Sequence, residues 1–181
     1  GTGALDDGAG IAIVLTSARA VMAAGTPRRT VRVVLFANEE NGGAGARAYA
    51  EAHRDELARH AVALEADAGD GRVLTARYAG AAEGREAFHR VALALAPMGV
   101  REGAEAAHGG ADLGPLVPAG VPRVDLGQDM RTYFDHHHTA NDTPAVLDER
   151  ALDQAVAVWT AAVGAMASMG ESFGRAPVEA R

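Results

Sequence analysis

The chain has 181 residues, enough for one domain with its own core, and its 48% hydrophobic and 23% charged content excludes a disordered or fibrous protein. A net charge of −7, with Arg28-Arg29 as the densest basic step, excludes a nucleic-acid footprint. The absence of cysteine excludes disulfides, thiolate metal ligands and a Cys nucleophile, and no apolar run is read as approaching the roughly 20 residues of a membrane span.

In chain order, Ile11, Val14, Leu15, Ala18 and Val21 recur at helical spacing, and Gly25-Thr26-Pro27 stops that helix. Residues 30–37 are β-branched and almost continuously apolar, the pattern of a buried central strand. They run into Asn38-Glu39-Glu40-Asn41-Gly42. A second helix is expected over 45–60, with Ala46, Tyr49, Ala50, His53 and Leu57 on one face. A short strand over 61–66 ends at Asp67, and another is expected over 73–75. Residues 82–95 read as a helix, 111–119 as a short one despite Pro115, and 121–126 as a strand. After a His-rich segment, Asp148 caps a final helix whose stripe is Leu152, Ala155, Val156, Trp159, Val163 and Met166. Residues 170–181 read as a tail.

This alternation predicts an α/β fold with helices layered on a mostly parallel sheet. Sites in such folds lie beyond the carboxyl ends of strands, where Glu39-Glu40 and Asp67 fall. Side-chain nucleophiles are scarce. Every one of the 17 basic residues is arginine, which removes lysine chemistry, and Ser17, Ser168 and Ser172 all lie outside a Gly-x-Ser-x-Gly elbow. A hydrolase built from this chain would use water, which at neutral pH usually calls for a metal. Asp6-Asp7, Glu39-Glu40, Asp67 and Asp135-His136-His137-His138 with Asp142 supply carboxylates and imidazoles without thiolates, the ligand set of a catalytic zinc site.

Four ordered motifs carry a family resemblance. Gly3-Ala4-Leu5-Asp6-Asp7-Gly8-Ala9-Gly10, Val33-Val34-Leu35-Phe36-Ala37-Asn38-Glu39-Glu40-Asn41-Gly42, Leu64-Glu65-Ala66-Asp67-Ala68-Gly69 and His137-His138-Thr139-Ala140-Asn141-Asp142-Thr143 resemble the di-zinc aminopeptidase and plasma glutamate carboxypeptidase family. The resemblance implies a three-layer αβα zinc-exopeptidase fold with a mixed, mostly parallel sheet. Residues 1–169 would be part of the catalytic domain, its first strands lying upstream of Gly1. It implies two zinc ions, with Asp6 bridging both, Glu40 and His138 on one and Asp67 on the other. Glu39 resembles the general base acting on a water between the metals, and the Asp6-Asp7 peptide is expected to be cis. Asp142 would orient the His138 imidazole and Asp7 would play a similar supporting part. His137 stands where some relatives place a tyrosine that donates to the oxyanion. His136 is peripheral. His108 and Asp112 match a Gly-Gly-x-Asp stretch that would line the substrate cleft. Relatives also draw a zinc ligand from a His-x-Asp motif about a dozen residues before the bridging aspartate, and only five residues precede Asp6 here.

The implied activity is hydrolysis at the ends of peptides or dipeptides by a secreted or periplasmic protein. The alternatives are an inactive, receptor-like binding domain on the same fold, or a related zinc amidohydrolase or glutaminyl cyclase.

Overall fold

The structure is a computed structural model and describes residues 1–176; the last five residues of the expected tail, 177–181, lie outside the described residues. A wide helical turn, Ala4–Gly8, has non-helical backbone at Asp6 and Asp7 and leads into α1, Ala9–Ala24. Then follow α2 (Ala44–Ala52), β1 (Val73–Ala79), α3 (Arg85–Leu95), β2 (Arg101–Glu102), β3 (Arg123–Gln128), α4 (Tyr133–His136) and α5 (Glu149–Ser168).

The sheet is mixed, in the order β2-β1-β3. β1 lies parallel to β2 and antiparallel to β3, with Val73 opposite Gln128 and Ala79 opposite Arg123. On the far side of β3, Ala63 makes a parallel bridge to Arg123 through Ala63 N–H to Pro122 O at 2.9 Å and Val124 N–H to Ala63 O at 3.0 Å. Residues 61–66 therefore run alongside β3 in the same direction, so Asp67 and the segment following Gln128 emerge at one end of the sheet.

Against one face of the sheet pack α1, α3 and α5. Ile13, Phe88, Val91, Leu95, Val158 and Trp159 close on Val73, Ala76 and Tyr78 of β1 and on Val124 and Leu126 of β3. Burying such side chains stabilises by roughly 1.5–3 kcal/mol each. A smaller cluster of Leu57, Leu113, Leu116 and Val121, with Tyr49 and Ala50 of α2 and Ala63 against it, forms apart from the main core. The cap of α5 forms as the sequence predicts, since the Asp148 side chain accepts from the backbone N–H groups of Arg150 and Ala151.

Four expectations change. Residues 30–37, read as a central strand, pair with no strand among the described residues. Despite their apolar pattern none of these residues is buried and Leu35 is exposed. A ladder needs a partner backbone at hydrogen-bonding distance, and here a cavity of about 590 Å³ is lined jointly by residues 30–34 and 61–64. The helix expected over 45–60 ends at Ala52 and resumes only as a tight turn at Leu57–Arg59, because the polar run from His53 to Glu56 offers nothing to bury. Residues 111–119 form a 3₁₀ turn, Gly114–Ala119, holding two prolines. Residues Ala4–Ala24, 21 in number with mean hydropathy 1.3, do have the length and composition of a membrane-crossing helix. In the fold their first turn carries Asp6 and Asp7, and Ile13, Ser17 and Val21 are buried, Ser17 donating to Val156 O of α5 at 3.3 Å.

Candidate metal centre

Elements from across the chain converge at the sheet end where Asp67 emerges. Asp6 and Asp7, joined by a cis peptide, sit in the turn before α1. Glu39 and Glu40 occupy the turn after residues 30–37, closed by Gly42 N–H to Glu39 O at 2.9 Å, with Asn38 left-handed at φ 65°. The short helix α4 delivers the histidines, and His138 is held at φ 59°, an uncommon conformation for a residue with a side chain.

The ligand atoms of Asp6, His137 and His138 all lie within 4.8 Å of one another. His138 Nε2 is 3.3 Å from Asp6 Oδ2 and 2.9 Å from Glu40 Oε1, and His137 Nε2 is 3.4 Å from the same Asp6 oxygen. The two imidazoles stack with centroids 3.7 Å apart. His137, expected as a donor beside a ligand, thus approaches Asp6 as closely as His138 does.

Electrostatically the site is a pool of carboxylates faced by two imidazoles. Burial and then Glu40 raise Asp6 above the usual carboxylate range, against the opposing pull of His137 and His138. Burial raises Asp67, reinforced by Asp6, Glu39 and Glu40. Glu39 is raised by burial, then by Glu40, Asp112 and Asp6. Asp7 is pushed up to about 8, by burial first and Asp67 second, while its Oδ1 accepts Gly10 N–H at 3.0 Å. Crowded, partly desolvated acids that repel one another are the charge pattern that a bound cation relieves. Oxygen and imidazole donors without thiolate fit zinc in a catalytic rather than a structural role.

Asp142 is buried, and its carboxylate accepts Leu5 N–H at 2.6 Å and Asp6 N–H at 3.1 Å. Desolvation opposes its charge, but the N–H groups of Leu5, Asp6 and Ala4 outweigh it and hold the acid below its ordinary range. Its hydrogen bonds therefore fix the turn that carries Asp6 rather than the His138 ring. His108 enters through its backbone, which donates to Asp125, while its side chain is exposed. Asp112 lies beside Asp67 and Glu39, with Oδ1 buried and lacking a hydrogen-bond partner among the described residues.

Sequence reasoning did not single out Glu65 or Tyr133. Glu65, pushed up to about 7 mainly by burial, lies near Asp67 and Asp112, whose charges add to the rise. Tyr133 is buried with its ring 4.8 Å from His137, four residues later in the same turn, and burial followed by Asp6 and Asp67 raises its phenol.

A three-layer α/β domain with a carboxylate and imidazole cluster at a strand end defines a metallopeptidase-type hydrolase domain. The family model described as Peptidase family M28 matches residues 1–163, and the chain belongs to that family of zinc-using peptidases. It is 34% identical over 176 residues to carboxypeptidase Q of Mus musculus, covering 97% of this chain, and 33% identical over 177 residues to carboxypeptidase Q of Homo sapiens. A solved Peptidase M28 precursor from Shewanella amazonensis SB2B superposes with a TM-score of 0.93 and 38% identity, over 100% of this chain and 41% of that one. Legionella LapA, at 18% identity and a TM-score of 0.69 over 92% of this chain and 49% of that one, shares the fold. The chain spans 37% of the length of the curated relatives it matches.

Proposed function

We propose that this chain supplies the catalytic residues of a di-zinc exopeptidase that removes residues from the ends of peptides or cleaves dipeptides. One observation carries the reading: the ligand atoms of Asp6, His137 and His138 lie within 4.8 Å of one another, Glu40 Oε1 is 2.9 Å from His138 Nε2, and Asp67 and Glu39 are near enough for these carboxylates to raise them. Asp6 would lie between two zinc ions, Glu40 and His138 would hold one, and Asp67 the other. Bound zinc supplies Lewis-acid chemistry, activating water and polarising the scissile carbonyl. Glu39, a carboxylate near the cluster without a structural hydrogen-bonding duty among the described residues, takes the proton of the attacking water and passes it to the leaving amine. His137 donates toward the oxygen that gains charge. Asp142 and Asp7 hold the Asp6 turn, and Asp112 with the His108 backbone borders the substrate. A secreted or periplasmic location, drawn from the family resemblance, belongs to the same proposal.

The test is the Glu39→Gln variant of the zinc-loaded protein, assayed on dipeptides and aminoacyl anilides. The expected result is a loss of turnover of about 10²–10⁴-fold with zinc content unchanged. Full activity in the variant, persisting after exhaustive chelation, would overturn the reading.

A further inference from the structure

The loop that carries Asp112 is clamped at both ends by charged side chains. Asp125, on β3, accepts His108 N–H at 2.7 Å and Gly109 N–H at 2.8 Å, and Arg123 on the same strand donates from Nη1 to His108 O at 2.9 Å. At the other end Glu65 Oε2 accepts Leu113 N–H at 3.0 Å, with the Ala111 N–H near the same carboxylate. Gly110 shows how closely the loop rests on that carboxylate. Its φ is +80°, and a Cβ there would come within 2.2 Å of Glu65 Oε1 and 2.3 Å of its Cδ, a contact that real side chains do not make. Between the two clamps sits Asp112, its Oδ1 buried and without a hydrogen-bond partner among the described residues, and its carboxylate beside Asp67 and Glu39.

The same segment serves both the loop and the cluster: Glu65 takes Leu113 N–H of the loop, and Asp67, two residues on, lies near Asp6, Glu39 and Glu40. Glu65 Oε2 holds Leu113 N–H at 3.0 Å while its carboxyl group lies against Gly110, so one side chain fixes the loop backbone at two points.

We propose that Glu65, acting with Asp125, is a positioning residue that locks the 108–113 loop so that Asp112 stands fixed opposite Asp67 and Glu39 during turnover. The inference rests on the hydrolytic reading for its activity measurement only.

A double-mutant cycle between Glu65 and Gly110 on the zinc-loaded protein tests it, read by backbone amide exchange over 107–114 and by steady-state kinetics. Glu65→Ala is expected to speed exchange of the Ala111 and Leu113 amides about tenfold, the scale of one lost hydrogen bond. It should lower kcat more than it raises KM, with zinc content and thermal midpoint near those of the parent. Glu65→Gln, which keeps size and one acceptor oxygen, should recover part of both. Gly110→Ala alone should disturb the same amides. With Glu65→Ala it should add less than the product of the two effects, because the carboxylate it collides with is gone. Unchanged exchange at Ala111 and Leu113 in Glu65→Ala, or multiplicative effects of the pair, would overturn the proposal. Should Glu65→Ala not fold, the Glu65→Gln exchange pattern decides in the same way. A parent protein without hydrolytic activity would remove the hydrolytic reading and leave the exchange result to judge the loop.

Discussion

The carboxylate of Asp142 accepts the backbone N–H of Asp6 at 3.1 Å across 136 positions of sequence, and the neighbouring N–H of Leu5 at 2.6 Å. The residue that faces the histidines is therefore held in place by the segment that follows them. Asp142→Ala leaves buried donors unpaired, at about 1–3 kcal/mol for each. It is expected to lower unfolding free energy by that order in a urea titration and to weaken zinc binding by calorimetry. Asp142→Asn, which retains one acceptor, should fall between. Parental zinc affinity in Asp142→Ala would show that the Asp6 turn holds its shape unaided.

The acids of the site give the zinc-free protein a distinctive pH dependence. Asp7 rises from an ordinary 3.8 to about 8 and Glu65 from 4.5 to about 7, both through burial first. Between those values the folded state binds more protons than the unfolded state, so stability falls as pH rises from about 5 to about 8. Asp142, held below its ordinary range, contributes the opposite sign, with stability lost only as pH falls below about 4. Thermal midpoints of the zinc-free protein should thus be highest in weak acid. Saturating zinc competes with those protons and should flatten or invert the slope. A midpoint that climbs steadily from pH 5 to pH 8 without metal would contradict this account.

The segment after α5 is expected to behave as core. Phe173 is 1% exposed, its carbonyl accepts the Tyr78 hydroxyl, and Tyr78 also donates to Ala81 O at 3.1 Å. Phe173→Ala should cost about 3–5 kcal/mol in unfolding free energy, the range for a buried phenylalanine, whereas an effect under about 0.5 kcal/mol, as at a free surface, would return residues 170–176 to the status of a tail.

How far the sequence could be read depended on whether a signal was local. The presence of α1, α3 and α5, the stripe of α5 and the Asp148 cap are written within a turn or two of each residue, so they could be placed in advance, whereas α1 buries Ile13, Ser17 and Val21 and leaves Ile11 and Leu15 of its expected stripe exposed. The fate of residues 30–37 depends on a partner backbone that no property of Val31 or Val33 encodes. The expected strand over 73–75 extends to Ala79 because antiparallel pairing with β3 carries Arg77 and Tyr78 along. Asp6, Glu40 and His138 could be nominated because ordered motifs mark them. Glu65, Tyr133 and the Asp125 clamp acquire their roles only when loops distant in sequence close on one another. The bond from Asp142 to the Asp6 turn, in place of the His138 ring, is likewise a product of tertiary closure.

Gly10 ties the helix to the site. As a residue in the first turn of α1, its replacement by alanine would ordinarily stabilise the helix by roughly 0.5–1 kcal/mol. Here an added Cβ would lie 2.2 Å from Ala66 O and 2.3 Å from Asp7 Oδ1, so the helix start would have to back away from the segment that ends at Asp67. Gly10→Ala is expected to cost about 1–3 kcal/mol, the range for overpacking, and to reduce zinc affinity by separating Asp6 from Asp67. Gly164→Ala in α5 is the matched control. Its nearest neighbour would be Val21 Cγ2 at 3.5 Å, an ordinary contact, so helix propensity should prevail and stability should rise with zinc affinity unchanged. If Gly10→Ala instead gains stability like the control, the close approach of α1 to the Asp67 segment does not hold in solution, and the spacing of the candidate ligands must be set elsewhere.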